Sequence, residues 1–312
     1  MISLWLRWVR FWSTVEAPQT MAVVRIVVGL IIAVDFALML SAGIIDPLYV
    51  PIAEGGFAPG SGGPWLALLG GPSTATAYGL TITAMVSAGL LCVGLGGRLT
   101  AFVLLQVLIT FHGLPIDIGG GYDRLILNMV FLLMLSRSTA TLSIDCRLRT
   151  GSWHSTAPIM AFPRYLMVAQ LVVMYVMTGL HKTGPSWESP YPAVYRALLR
   201  PTYARWEASW MGDLYPLTQL GTWAAWWWEV SFVVLGLWFV ARRGVLGTGA
   251  HALAKRIDLR IPYLGIGLLM HMTLWVMMNI GPFSAITLSY YLAFIEPEEW
   301  TKRRNTPEPA PP

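Results

Sequence analysis

The sequence predicts an all-α fold, a polytopic transmembrane helical bundle of about eight spans with both termini in the cytoplasm. Three observations support this fold class: 55% of the 312 residues are hydrophobic, only 12% are charged, and the mean hydropathy is +0.59. Soluble domains carry about 25% charged residues, so this composition excludes a soluble globular, disordered or coiled-coil chain. The 15 tryptophans and 30 glycines also suit helical spans with aromatic interfaces.

Residues 1–20 are predicted to form an amphipathic helix in the membrane interface. They lack the long apolar core and the small-residue cleavage site of a signal peptide. One face of this helix carries Arg7 and Arg10, and another carries apolar side chains at helical spacing: Leu4, Trp8, Phe11, Trp12 and Val15. Pro18 is expected to end the helix before the first span.

Residues 21–297 form the predicted transmembrane domain. A span needs roughly 20 apolar residues. Eight apolar segments, three of them short, meet or approach this length: Met21 to Ser41, Thr74 to Leu95, Leu99 to Pro115, Tyr122 to Ser136, Pro163 to His181, Leu220 to Ala241, Pro262 to Ile280 and Phe283 to Ile295. Because Gly281 and Pro282 interrupt the last apolar stretch, its two halves are expected to form a helical hairpin.

The placement of lysine and arginine predicts the orientation, because these residues concentrate on the cytoplasmic side. With the N-terminus inside, most of the 21 lysines and arginines fall in inner segments. Those expected outside are Arg124, Lys182, Arg196, Arg200 and Arg205. The net charge of +5 is therefore attributed to topology and to attraction for anionic lipid, and no nucleic-acid partner is expected.

Two polar segments complete the predicted organisation. Residues 183–219 form an outer amphipathic loop in which Trp187 and Tyr195 are candidate interface aromatics and residues 193–199 a short helix. Residues 298–312 form a short, polar, proline-rich cytoplasmic tail, after which no further domain is expected.

Ionisable side chains inside apolar segments are the candidate functional groups, because each is costly unless it is paired. Arg25 lies about one turn inside the first span and is expected to reach the inner headgroups. Asp35 is too far along the same helix to neutralise Arg25 and needs a partner elsewhere. Glu229, near the middle of the sixth span, is a hydrogen-bond donor, a proton acceptor or half of a structural ion pair. Asp123, at an outer helix start, is adequately explained as a capping residue.

Lys182 ends the fifth span on the side where positive charge is disfavoured, directly after His181. A lysine that is partly shielded from water holds its proton less tightly and can act as a general base. The alternative is a lysine that complements helix-end carbonyls and reaches the headgroups. In the seventh span His271, Trp275 and Asn279 recur every fourth residue and are expected to line one helix face. No metal-binding spacing occurs, and no metal is expected.

Taken in order, these segments resemble the HTTM family, the membrane domain shared with vitamin K-dependent gamma-carboxylase. The resemblance covers nearly the whole chain, and the segments that carry it are Met21 to Gly29, Gly94 to Thr100, Gly120 to Arg124, Ser143 to Asp145, Gly179 to Trp187, Ala193 to Tyr195, Glu229, and His271 to Phe283. In the carboxylases the lysine of this segment deprotonates vitamin K hydroquinone, and Lys182 is the matching position. The carboxylases have paired lysines here, whereas this chain has His181 first.

The resemblance implies a short, bacterial-type HTTM protein of the inner membrane without the soluble domain that recognises a protein substrate. It implies an enzyme that uses a quinol or another lipid in an outward-facing pocket, with Lys182 as base beside His181. Positions expected to line this pocket or relay protons are Asp123, Glu229, His271, Asn279, Arg25 and Asp35. The implied cofactor is a reduced quinone of the vitamin K type, and the implied partners are membrane lipid, a lipid-soluble quinol and a protein.

The alternative function is that of a non-enzymatic membrane transporter or partner-binding scaffold. A transport path should place ionisable groups along both halves of the membrane. Lys182, His181, Asp123 and Arg124 instead cluster on the predicted outer half, which favours an outward pocket over a path through the membrane.

Overall fold

The computed structural model describes residues 3–59, 63–114, 120–207 and 209–302, and the protein is mostly helical. Within these residues the α-helices are, in chain order, α1 (Leu4–Trp12), α2 (Gln19–Ser41), α3 (Ile45–Tyr49), α4 (Pro64–Leu68), α5 (Thr74–Val93), α6 (Gly97–His112), α7 (Gly121–Leu135), α8 (Ile144–Thr150), α9 (Phe162–His181), α10 (Ala193–Leu198), α11 (Tyr215–Arg242), α12 (Thr248–Arg256), α13 (Arg260–Met277), α14 (Phe283–Tyr291) and α15 (Glu299–Lys302). Short 3₁₀ helices cover Ile52–Glu54, Ser209–Gly212 and Leu292–Phe294. Strands β1 (Val15–Glu16) and β2 (Ile159–Met160) form an antiparallel pair.

Four helices of the described residues, α2, α5, α9 and α11, are long and apolar enough to cross a membrane. The pair α12 and α13, bent by 56° at its break, adds a fifth candidate if the two helices form one span. Helix α6 and the segment Phe283–Phe294 are apolar but shorter. By length and composition, the described part of the chain is therefore that of a membrane protein with four to five candidate spans.

Each of the eight apolar segments predicted from the sequence contains a helix, with ends that differ by a few residues. Pro115, the predicted end of the third segment, lies outside the described residues. Helix α11 starts earlier than predicted, because Pro216 occupies its first turn, where a proline needs no intrahelical hydrogen bond. The predicted break before Phe283 is confirmed, and Gly281 there has φ +58°. The count of eight spans stays a prediction.

The N-terminal helix is shorter than predicted. Helix α1 ends at Trp12, and the hydroxyl of Ser13 donates to the carbonyl of Val9, which satisfies one of the last carbonyls of the helix. Val15 therefore belongs to β1 and not to the apolar helix face. Trp5 remains 70% exposed, which suits the interfacial position that stays a prediction.

The chain divides into two compact units. The first unit comprises Met1–Thr14 and Tyr165–Ser284, and the second comprises Val15–Arg164 and Ala285–Pro312. In the first unit α11 packs against α10, α12 and α13. In the second unit α2 packs against α5, α5 against α6, and α6 against α7. Most of these pairs are neighbours in sequence, whereas α2 and α5 are separated by the segment that contains α3 and α4.

A glycine allows the closest approach between α2 and α5. A Cβ atom at Gly29 would lie 2.6 Å from the backbone nitrogen of Cys92 and 2.8 Å from the carbonyl oxygen of Ala88. Because both atoms belong to the backbone of α5, neither can move aside without displacing the helix. Small residues at such contacts let membrane helices pack backbone to backbone.

Replacing Gly29 by alanine is expected to destabilise the protein by about 1–3 kcal/mol, because the added methyl group forces α2 and α5 apart. The measurement is thermal unfolding of the purified protein in a mild detergent. Gly89→Ala, on α5 where a Cβ atom would meet nothing within 4 Å, is the matched control. Equal melting temperatures for the two variants would contradict the close contact.

In the second unit, Arg164 connects β1 with the segment that follows α14. Its side chain is 1% exposed, and it donates to the two carboxylate oxygens of Glu16 at 2.8 and 2.5 Å. The same guanidinium donates to Glu296 at 3.1 Å and to the carbonyl of Ala293 at 2.9 Å. A planar guanidinium can serve several acceptors in this way, which fixes the position of both segments.

Candidate functional site

Lys182 lines a cavity of about 480 Å³ in the first unit. The other lining residues belong to the last turns of α9 and to the loop after it: Met177, Thr178, His181 and Trp187. The loop turns back at Gly184, which has φ +91°. The backbone N–H of Trp187 donates to the carbonyl of Gly184 at 2.9 Å and closes this turn. The indole of Trp187 thereby lies beside Lys182, with Nζ 4.6 Å from a ring centroid.

The amine of Lys182 forms an ion pair with Glu229 of α11. The side chains of Lys182 and Glu229 are 17% and 7% exposed, so the pair is largely shielded from solvent. Lys182 donates to Oε1 of Glu229. The other carboxylate oxygen, Oε2, is buried and has no hydrogen-bond partner among the described residues. The carboxylate therefore retains the capacity to accept one more hydrogen bond.

Close packing between α9 and α11 allows the lysine to reach this acid. A Cβ atom at Gly179 would lie 2.9 Å from the backbone nitrogen of Val230 and 3.1 Å from Cβ of Glu229. The indole N–H of Trp226 donates to the carbonyl of Gly179 at 3.0 Å, which fixes the contact. The sequence analysis named both charged residues, but it did not identify Gly179 or Trp226 as the residues that bring them together.

His181 lies at the cavity but makes a local contact. Its Nδ1 lies 2.7 Å from the carbonyl of Met177, one turn earlier in α9, and the imidazole is otherwise exposed. A ring nitrogen that donates to this carbonyl satisfies one of the last acceptors of the helix. The other ring nitrogen forms no hydrogen bond within the described residues.

His271 is buried and pairs with a tyrosine of α9. Its Nε2 lies 2.7 Å from the hydroxyl of Tyr175, which is about two helical turns before Lys182. His271 and Trp275 both belong to α13, four residues apart, but the prediction that Asn279 shares their helix face is wrong. Helix α13 ends at Met277, and the next residues are extended, so Asn279 donates its backbone N–H to the carbonyl of Tyr203 at 2.7 Å and is exposed.

Tyr195 belongs to α10, the short helix predicted in the outer loop. Its ring packs edge-on against Tyr215, with 5.0 Å between centroids. The backbone N–H of Val194 donates to the hydroxyl of Thr222 at 3.0 Å, which anchors α10 to α11. The contribution of Tyr195 and Trp187 to a membrane interface stays a prediction.

The remaining predicted site residues belong to the second unit. Asp123 accepts the backbone N–H of Gly120 at 2.7 Å, which confirms its capping role at the start of α7. It also lies 3.8 Å from Nε2 of His112, an ionisable residue of an apolar segment that was not among the predicted site residues. Asp35 is half-buried on α2, and its carboxylate forms neither a hydrogen bond nor an ion pair with any described residue.

Arg25 does not reach the headgroups as predicted. Its side chain is fully buried, and it donates to the carbonyls of Leu91 and Cys92 at 2.6 Å each, of Leu142 at 2.6 Å and of Ser138 at 3.2 Å. The prediction failed because carbonyls at the end of α5 and in the turn after α7 satisfy the guanidinium inside the protein. Arg25 is thus a structural cation, held by the partial negative charge at a helix C-terminus.

Taken together, the first unit offers a cavity with an amine, a buried carboxylate, an imidazole and an indole ring. These groups can bind a small aromatic or polar molecule and move a proton to or from it. Among the described residues, no group of three or more His, Cys, Asp and Glu side chains is arranged to hold a metal ion.

Comparison of the chain with family profiles, curated proteins and solved structures gives no match.

Proposed function

We propose that the protein is an HTTM-type membrane enzyme, similar to vitamin K-dependent gamma-carboxylase, in which Lys182 deprotonates a lipid-soluble quinol. The observation that carries the proposal is the ion pair between Lys182 and the buried Glu229 at the wall of a cavity. A cavity of about 480 Å³ has the size of a small-molecule site. The indole of Trp187 supplies an aromatic face on which the ring of a quinol can stack.

The proton transfer that we propose has two steps. First, a proton moves from Nζ of Lys182 to the carboxylate of Glu229, which leaves a neutral amine and a neutral acid. Second, the amine accepts the proton of a quinol hydroxyl, so that a quinolate anion remains beside the ammonium group. The shielding of both side chains favours this exchange, because a low dielectric makes the separated charges costly.

The proposal includes a topology. In this topology the chain crosses the inner membrane eight times, with both termini inside and Lys182 at the outer face. Four helices of the described residues, or five with the bent pair, are long and apolar enough to span a membrane, and the distribution of lysine and arginine favours this orientation. Such a position would open the cavity toward lipid and the outer surface, where a quinol can enter from the bilayer. The other partners that we propose are membrane lipid and a protein.

The test is extraction and mass spectrometry of lipids that co-purify with the protein in a mild detergent, followed by anaerobic addition of a naphthohydroquinone. We expect the parent to retain a quinone and to form the hydroquinone anion, seen by its absorbance. Lys182→Met should lower the rate of anion formation roughly 10²- to 10⁴-fold, because a general base contributes that much. Lys255→Met, a change at an exposed lysine of α12, is the matched control.

A second variant separates chemistry from folding. Removing Lys182 alone leaves Glu229 buried without its counter-ion, which destabilises a protein. The double variant Lys182→Met, Glu229→Met removes both charges at similar volume and is expected to keep the melting temperature while the activity stays lost. No bound quinone, together with unchanged behaviour of Lys182→Met, would refute the enzyme and favour the transporter or scaffold, in which the pair only locks α9 to α11.

A further inference from the structure

The second unit contains a smaller cavity, of about 230 Å³, that is independent of the function proposed above. It lies where the start of α6, the turn after α7 and the end of α8 meet. Its lining is basic and rich in hydroxyl groups: Arg98, Arg137, Arg149, Ser136, Ser138 and Thr139. All three arginines are exposed, and three guanidinium groups around so small a volume create a positive potential that attracts anions.

Within the described residues, none of the three arginines forms an ion pair with an acid. Arg98 donates there only to the carbonyls of Leu135 and Ser136, and Arg149 only to the carbonyl of Ala140 at 3.4 Å. The guanidinium of Arg137 makes neither a hydrogen bond nor an ion pair with any described residue.

The acid nearest in sequence is already engaged. Asp145 of α8 accepts the backbone N–H of Gly96 at 3.0 Å and forms no ion pair with the three arginines within the described residues. The other carboxylate oxygen of Asp145 lies near the cavity wall, 3.3 Å from where a Cβ atom of Gly97 would be. No acidic side chain is among the described residues that line the cavity, so its lining carries a net positive charge.

Neutral donors add to the guanidinium groups. The backbone N–H groups of Arg137, Ser138 and Thr139 donate none of the hydrogen bonds formed within the described residues. The carbonyl of Ser138 instead accepts from Arg25 at 3.2 Å, so that this turn uses its acceptors inside the protein and keeps its donors free. A site with many donors and few acceptors suits a ligand with several negatively charged oxygens, as a phosphate has.

Apolar side chains flank the basic residues. Leu99, next to Arg98, is 68% exposed, and Leu148, between Arg147 and Arg149, is 75% exposed. Exposed leucines beside arginines are expected where a protein surface meets the boundary between headgroups and acyl chains. This neighbourhood favours a phosphate that is carried by a lipid over a phosphate that is free in water.

We propose that this cavity binds the phosphate group of an anionic phospholipid, with Arg137 as the residue that contributes most directly. Arg98 and Arg149 hold the walls through their carbonyl contacts and complete the positive charge. The hydroxyls of Ser138 and Thr139 and the free N–H groups supply further hydrogen bonds to the phosphate oxygens, whereas the hydroxyl of Ser136 donates to the carbonyl of Leu133.

The test is native mass spectrometry of the full chain in a mild detergent with equal amounts of phosphatidylglycerol and phosphatidylcholine. We expect preferential binding of phosphatidylglycerol and a loss of affinity on the order of tenfold for Arg137→Gln, because one charge-assisted contact is removed. Since the side chain of Arg137 has no partner among the described residues, this variant should keep its melting temperature. Arg147→Gln makes the same charge change at an exposed arginine of α8 outside the cavity lining and should bind like the parent.

Two results would overturn the proposal. Equal binding of the two lipids, or equal loss of affinity in Arg137→Gln and Arg147→Gln, would mean that only the general basic surface attracts lipid. Competition by an excess of inorganic phosphate tests whether the site binds a lipid phosphate or a free phosphate. Weak competition supports the lipid as the source, whereas inorganic phosphate that binds as well as phosphatidylglycerol would refute a lipid ligand.

Discussion

Replacing Arg25 by methionine is expected to destabilise the protein by roughly 4 kcal/mol, because buried carbonyls lose their hydrogen-bond donor. The carbonyls of Cys92, Ser138 and Leu142 accept from Arg25 and from no other group in the described residues. The carbonyl of Leu91 is less affected, since it also accepts the backbone N–H of Gly94. The measurement is thermal unfolding in detergent, followed by tryptophan fluorescence.

Two further variants define the origin of this effect. Arg25→Lys keeps a positive charge but loses the planar fork that serves several acceptors at once, so we expect an intermediate loss of stability. Arg124→Met, at an exposed arginine of α7 without a partner in the described residues, is the control and should leave the melting temperature unchanged. If Arg25→Met melts like this control, the carbonyl contacts do not stabilise the fold.

Replacing Arg164 by methionine is expected to cost about 3–5 kcal/mol, because the change leaves a buried carboxylate without its counter-ion. The side chain of Glu16 is 6% exposed and would then be unpaired, and β1 would lose its link to Glu296. Thermal unfolding in detergent measures the loss. Limited proteolysis near Glu16 should show at the same time that the strand has detached.

The double variant Arg164→Met, Glu16→Leu distinguishes loss of an ion pair from loss of packing. Replacing both partners by apolar residues removes the uncompensated charge, so we expect a large part of the stability to return. Arg10→Met, at an exposed arginine of α1, controls for the change of net charge. A double variant as unstable as Arg164→Met would show that the charge of Glu16 is not responsible.

Lys182 and Glu229 could be predicted as site residues because each is a charged residue where charge is unusual. Lys182 was expected on the outer side, where lysine is disfavoured, and Glu229 was an acid inside an apolar segment. Their pairing could not be predicted, because it depends on how α9 and α11 are rotated and on the close approach at Gly179. No local pattern in one helix specifies which residue of another helix it meets.

The wrong or missing predictions have three separate physical causes. The prediction that Arg25 reaches the headgroups failed because its partners are backbone carbonyls. Every residue has a carbonyl, so no sequence pattern identifies the ones that Arg25 contacts. The prediction that Asn279 lies on a helix face assumed a longer helix, but α13 ends at Met277, before Gly281 and Pro282. The basic cavity was missed for a third reason. Arg98, Arg137 and Arg149 were counted as topological charges, and only the turn after α7 brings them together.

The distance along the chain between Arg25 and its acceptors constrains how the protein is made. Leu91 and Leu142 are synthesised 66 and 117 residues after Arg25, so α2 leaves the ribosome long before its guanidinium can be satisfied within the protein. Until then water or headgroups must solvate the charge. The full set of hydrogen bonds that buries Arg25 can therefore form only after the turn that follows α7 has been synthesised.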